Sequence, residues 1–245
     1  MKRTEIRACI ENIGIVPALR ASSPADGLFA AKMIRRGGIP IVEVTMTVPG
    51  ALDVLSALAD SGDFIVGAGA VMDLESARCC IDAGASFLTS AGLDPDVVDL
   101  AIRSDIAVFP GILTPTEAIA AWKPRPDFLK VYPCSQIGGA GYIRVLKGPF
   151  PQIPLIAAGG VTQRNAADFI AAGASAISLG GELLPAEAIR LHDENRILEL
   201  ARRFLSIVKQ ARKANSPEIA RGGSRPSFSP RESAATSLVG SAHPS

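Results

Sequence analysis

The chain is predicted to fold as a single (β/α)8 TIM barrel with an N-terminal helix, on the strength of eight short apolar runs, helix-length segments between them, and a length that suits the closed form. Its 245 residues are close to the roughly 250 of a typical barrel of this class. Hydrophobic residues make up 48% of the chain and aromatic ones only 5%. A composition rich in Ala, Gly, Val, Ile and Leu suits helices packed over parallel strands that are buried on both faces.

A segment with Ile6, Cys9, Ile10 and Ile13 at helical spacing opens the chain. Strand-like runs follow at 15–19, 39–46, 64–68, 86–89, 106–109, 127–132, 154–157 and 175–179. Helical segments of about ten to fourteen residues separate them, the crossover length that parallel strands need. Ser23-Pro24, Asp94-Pro95 and Thr114-Pro115 each place a capping side chain before a proline at the first helical position. Gly37-Gly38, Gly84 and Gly173 stand where helices should stop. Repeated strand–helix units build either a closed barrel or an open doubly wound sheet. No Gly-x-Gly-x-x-Gly follows the first run, which speaks against the dinucleotide-binding open sheet. The even number of units favours the barrel.

A last helix is expected over about 188–213, with Ile197, Leu198, Ala201, Leu205 and Val208 as its apolar stripe. The barrel domain is thus assigned to residues 1–213. Residues 214–245 are dense in Ser, Pro, Gly and Arg and lack periodicity, so they are expected to form a disordered tail.

A formal net charge of +1 gives no electrostatic reason to expect nucleic acid or a membrane surface as partner. The four cysteines show no C-x-x-C pattern, and Cys79 and Cys80 should point to different helix faces. A reduced thiol set is the simplest reading. Glu5, Arg7 and Glu11 interrupt any apolar core a signal peptide would need, and no stretch approaches the roughly 20 apolar residues of a membrane span. The sequence thus reads as a soluble cytoplasmic protein.

Two charges interrupt runs that should be buried: Glu43 in IPIVEVTM and Lys130 in DFLKVY. A buried charge is costly unless it is paired or neutralised. A plain ion pair would satisfy both groups, but barrels concentrate chemistry near the C-terminal strand ends. A desolvated lysine keeps a fraction of neutral amine and attacks carbonyls to form a Schiff base. A carboxylate in the same dry interior can move the protons that such chemistry needs. Gly159-Gly160 and Gly180-Gly181 follow the seventh and eighth runs, where barrels frequently bind phosphate through bare backbone N–H groups. Glu182, directly after the second pair, would repel a phosphate if it faced inward. The two histidines, His192 and His243, stand at no metal-ligand spacing, and His192 reads as a surface or capping residue. Cys134 reads as a small buried residue, with a reactive thiol as the alternative.

The runs Val42-Glu43-Val44-Thr45, Gly67-Ala68-Gly69, Phe109-Pro110-Gly111, Lys130-Val131-Tyr132-Pro133, Gly148-Pro149-Phe150-Pro151 and Gly159-Gly160-Val161 occur in this order. So spaced, they resemble the 2-dehydro-3-deoxy-phosphogluconate (KDPG) / 4-hydroxy-2-oxoglutarate (KHG) aldolase family over roughly residues 5–210. The resemblance implies a (β/α)8 barrel, commonly a homotrimer, with no metal or organic cofactor. It implies cleavage of a 2-oxo-3-deoxy-4-hydroxy acid to pyruvate and an aldehyde, glyceraldehyde 3-phosphate or glyoxylate. Lys130 would be the Schiff-base lysine and Glu43 the general acid/base. Arg20, Thr45, Thr47, Gly69, Pro110, Gly159, Gly160, Gly180 and Gly181 would contact substrate. The chain departs from phosphogluconate-type members at Thr47 (usually arginine), Ala70 and Ala158 (usually threonine) and Glu182 (usually serine). Arg20 and the non-threonine at Ala158 are shared with phosphogalactonate-type members. Two other readings remain open at this level: a phosphate-binding barrel isomerase or epimerase with Glu43 as base, and a non-catalytic relic barrel.

Overall fold

The computed structural model describes residues 1–215. Nine parallel strands form one sheet: β1 (Ile15–Leu19), β2 (Ile41–Thr45), β3 (Ile65–Gly69), β4 (Phe87–Thr89), β5 (Ala107–Phe109), β6 (Gly111–Ile112), β7 (Leu129–Val131), β8 (Leu155–Ala157) and β9 (Ala176–Leu179). The spatial order runs β5-β4-β3-β2-β1-β9-β8-β7-β6. Its two ends, β5 and β6, are consecutive pieces of the chain joined through Pro110, so the sheet closes into a ring of eight staves. The seam is bonded as well: Asp127 N donates to Val108 O at 3.2 Å and Lys130 N to Pro110 O at 2.9 Å. The fifth run therefore extends past Phe109, where it was expected to end. Proline lacks the N–H that a continuous ladder needs, so the stave is divided there while its carbonyl still accepts.

Ten helices flank the staves among the described residues: α1 (Arg3–Ile13), α2 (Pro24–Arg36), α3 (Ala51–Asp60), α4 (Leu74–Asp82), α5 (Pro95–Arg103), α6 (Pro115–Trp122), α7 (Gly139–Lys147), α8 (Ala166–Ala171), α9 (Ala186–Arg190) and α10 (Glu194–Ala214). The expected caps form. Ser23 accepts from Asp26 N at 3.2 Å, and Asp94 from Asp96 N at 2.9 Å. Thr114 and Glu117 exchange bonds in a capping box. Gly38, Gly84 and Gly173 adopt positive φ just past their helices, a conformation that L side chains avoid. Every residue of β1, β2 and β3 is buried, as a sheet covered on both faces requires.

Helix α1 lies across the N-terminal ends of the staves. Ile6 and Ile10 are buried, and Arg3 Nη2 is 2.9 Å from Asp127 Oδ2, just before β7. That carboxylate also accepts from Val108 N at 3.0 Å. The single helix expected over 188–213 is instead two, α9 and α10. His192 breaks it at φ 51°, and Asp193 Oδ1 caps the second piece by accepting from Arg196 N at 3.0 Å. The His192 ring stacks on Phe29 at 4.3 Å, with Nε2 3.1 Å from Asp26 Oδ1, and these contacts with α2 offset the cost of the left-handed residue. The buried stripe of α10 is Ile197, Leu200, Ala201, Phe204, Val208 and Ala211, so the expected Leu198 and Leu205 flank it, half-buried. Apart from its first two residues, the tail expected over 214–245 lies outside the described residues. Among the described residues, no helix is long and apolar enough to cross a membrane.

Candidate active site

Glu43 and Lys130 meet inside the barrel. They stand in the middle of β2 and β7, which are not neighbours in the sheet, so their side chains reach each other only across the interior. Lys130 Nζ is 3.5 Å from Glu43 Oε2 and 3.1 Å from Thr89 Oγ1, the latter on β4. Exposure is 3% for Glu43, 9% for Lys130 and 2% for Thr89. The ion pair is long for a charge-assisted hydrogen bond, which prefers about 2.7–2.9 Å, so the two groups are adjacent without being locked together.

A cavity of about 470 Å³ opens above them at the C-terminal ends of the staves. Its lining includes Glu43, Lys130, Arg20 after β1, Tyr132 after β7, Gly159 and Gly160 after β8, and Gly180, Gly181 and Glu182 after β9. Seven expected site residues thus line one cavity: Glu43, Lys130, Arg20 and both glycine pairs. The glycines have local reasons as well. Gly159 and Gly160 hold positive φ, and a Cβ on Gly180 would lie 2.9 Å from Arg20 Nη1, so that glycine makes room for the guanidinium. Ala158 and Glu182 also line the cavity. The acid singled out in the sequence is therefore part of the cavity lining.

Four expected substrate contacts do not line the cavity. Pro110 belongs to the barrel wall, where its carbonyl holds the backbone of Lys130. Gly69 packs against the Glu43 carboxylate. Thr45 is buried at the end of β2, its hydroxyl without a hydrogen-bond partner among the described residues. Thr47 is solvent-exposed on the turn that follows. The structure adds residues the sequence reading did not select: Thr89, Tyr132, Thr162 and Ser178. Tyr132 lies within the Lys130–Pro133 run already quoted, so a signal for it existed. A hydroxyl inside a strand carries no such signal.

Cys134 is fully buried, and burial pushes its thiol up to about 12, which agrees with the small-core-residue reading. Cys79 is exposed and Cys80 buried, on different faces of α4 as their adjacency required. Among the described residues, no group of three or more His, Cys, Asp or Glu side chains is placed to hold a metal ion.

Comparison with known proteins agrees with this geometry. Residues 6–200 match the family model for KDPG and KHG aldolase. A 2-dehydro-3-deoxy-phosphogluconate aldolase from Pseudoalteromonas atlantica is 32% identical over 193 residues, 78% of this chain and 90% of the relative. A KHG/KDPG aldolase from Escherichia coli K12 is 30% identical over 202 residues, 82% and 94% of the two chains. The crystal structure of a KDPG aldolase from Legionella pneumophila, with pyruvate captured at low pH as a covalent carbinolamine intermediate, superposes with a TM-score of 0.76 at 26% identity. It covers 80% of this chain and 96% of that one. With a closed barrel, a buried lysine–glutamate pair beneath an open cavity and matches over most of its length, the chain belongs to the KDPG and KHG aldolase family of carbon–carbon lyases.

Proposed function

We propose that Lys130 forms a Schiff base with the C2 carbonyl of a 2-oxo-3-deoxy-4-hydroxy acid, and that Glu43 moves the protons which cleavage to pyruvate and an aldehyde requires. The observation that carries this reading is the 3.5 Å separation of Lys130 Nζ and Glu43 Oε2 at the edge of an open cavity. Lys130 passes a proton to Glu43, the freed Nζ lone pair attacks C2, the carbonyl π pair moves to oxygen, and a proton passed from nitrogen to that oxygen gives a carbinolamine. A further proton, delivered by Glu43, lets the hydroxyl leave as water and the iminium form. Glu43, now a carboxylate, takes the C4 hydroxyl proton. The C3–C4 electron pair flows into the iminium, the aldehyde departs, and an enamine remains. Protonation at C3 and addition of water at C2 release pyruvate and restore the amine.

Arg20 lines the cavity and is assigned to the substrate's acid or hydroxyl groups. Gly159, Gly160, Gly180 and Gly181 are assigned to its distal end, where bare backbone N–H groups suit anions and hydroxyls alike. Among the described residues, no hydrogen bond uses the N–H of Gly160 or Gly181. Glu182 sets a negative charge against a phosphorylated end. Thr45 and Thr47 are assigned no direct contact, and Gly69 and Pro110 act through Glu43 and Lys130. Homotrimeric assembly and a cytoplasmic place in Entner–Doudoroff-like sugar-acid breakdown complete the reading, supported by the family's usual habit.

Borohydride trapping with pyruvate, followed by peptide mass spectrometry, tests the assignment. A reduced pyruvyl adduct on Lys130 is expected. No adduct, from folded protein with pyruvate in excess, would overturn it and favour the isomerase or relic-barrel readings. Lys130→Arg separates the isomerase from the aldolase, because an isomerase using the lysine only as a charge retains part of its activity and a Schiff-base enzyme loses nearly all of it.

A further inference from the structure

The register of the barrel groups four polar side chains into one layer. Glu43 pairs with Gly67 and Gly67 with Phe87, two residues before Thr89. Thr89 pairs with Phe109, two residues before Gly111, the partner of Lys130. Lys130 pairs with Ile156 and Ile156 with Ala176, two residues before Ser178. Ser178 pairs with Val16, two residues before Ala18, the partner of Glu43. The register thus advances by two at every second stave and by about eight around the ring, the shear of a closed eight-stave barrel. Such barrels fill their interiors with layers of four side chains drawn from alternate staves, mostly branched and apolar. Here the layer is Glu43, Thr89, Lys130 and Ser178, with no apolar member.

Thr89 stands apart from the other three. Glu43, Lys130 and Ser178 line the cavity and Thr89 does not. Its hydroxyl nevertheless accepts the shorter of the two Lys130 side-chain hydrogen bonds, 3.1 Å against 3.5 Å to Glu43. The lysine nitrogen is therefore held on its buried side by a neutral acceptor, with its other side turned to Glu43 and the cavity.

We propose that Thr89 is a positioning residue for the Schiff-base step, a role that rests on the aldolase reading above. A neutral amine carries two hydrogens and one lone pair. With one hydrogen given to Thr89 Oγ1, rotation about the Cε–Nζ bond is restrained and the lone pair is presented to the cavity. After loss of water the iminium keeps a single N–H, and the same oxygen accepts it. One fixed acceptor thus serves amine, carbinolamine and iminium without rearranging, which orients the C=N plane under Glu43. A second carboxylate in its place, beside Glu43, would favour the ammonium over the amine. A hydroxyl orients the nitrogen without that penalty.

The test compares Thr89→Val, which removes the acceptor at nearly constant shape, with Thr89→Ser, which keeps it. Turnover and the rate of pyruvate trapping by borohydride are measured alongside thermal unfolding. Thr89→Val is expected to lower kcat and the trapping rate about 10- to 100-fold, the usual worth of a hydrogen bond to a charged group. KM should stay within about threefold, because Thr89 does not touch substrate. Thr89→Ser should remain within about threefold of the unaltered protein in both rates, since its hydroxyl is retained. Unchanged rates in Thr89→Val would overturn the proposal, as would a folded Thr89→Ser as slow as Thr89→Val. Absence of any Lys130 adduct in the unaltered protein would overturn the aldolase reading itself, and the role of Thr89 with it.

Discussion

The Glu43 carboxylate occupies the space that a side chain at Gly69 would need: a Cβ there would lie 2.1 Å from Glu43 Oε1. The two are not ladder partners, since Glu43 pairs with Gly67 and Gly69 with Thr45. The carboxylate therefore leans toward the C-terminal end of the neighbouring stave, where the cavity opens. Gly69→Ala is expected to keep the fold and push the carboxylate away from Lys130, lowering kcat about 100-fold, the scale of an ångström-sized misplacement. Steady-state kinetics beside a circular dichroism spectrum would check this. Unaltered turnover would show that Glu43 has room to move or need not be where it is.

Glu43→Gln removes the proton carrier and keeps the shape. Schiff-base formation with pyruvate should still be detectable by trapping, while aldol cleavage slows by about 10² to 10⁴, the common worth of a general acid/base. Full activity in this variant would remove Glu43 from the mechanism.

Glu182 shares the cavity wall with Arg20 and the glycine pairs, and it is exposed. Its charge is screened by solvent, so its effect on a phosphorylated substrate should be modest. We expect Glu182→Gln to lower KM for a phosphorylated 2-oxo acid about three- to tenfold at low salt and to leave the unphosphorylated analogue unchanged. Equal shifts for both substrates would mean that the residue acts on packing and not on charge.

The opposite end of the barrel should report on stability alone. Asp127 joins Arg3 of α1 to the backbone of β5, and its loss leaves Val108 N–H without that acceptor in a buried setting. Asp127→Ala is expected to cost about 2–4 kcal/mol and to lower the midpoint of thermal unfolding by about 5–10 °C. Turnover well below that midpoint should be preserved, because chemistry in these barrels belongs to the other face. A variant that melts normally but turns over slowly would contradict this division.

Much of the site was legible in the sequence because charge inside an apolar run is costly and therefore conspicuous. Glu43 and Lys130 announce themselves in IPIVEVTM and DFLKVY for that reason. The glycine pairs were legible by position, since each follows a strand-like run within two residues. Thr45, Thr47, Gly69 and Pro110 were named with them, yet they do not line the cavity. A motif fixes which residues are near the site along the chain, and not which way each faces.

The sequence by itself determined the alternation of strands and helices, the capped helix starts, and the charged pair that had to find partners inside. These are local or pairwise consequences of backbone periodicity, capping chemistry and the cost of burying charge. Tertiary structure alone decided that Thr89 and Ser178 join Glu43 and Lys130 in one layer, because that grouping depends on the shear of a closed ring and no segment of the chain carries the shear. It also decided that the last helix breaks at His192, where contacts with Phe29 and Asp26 on a distant helix outweigh a helical pattern that continues through the break.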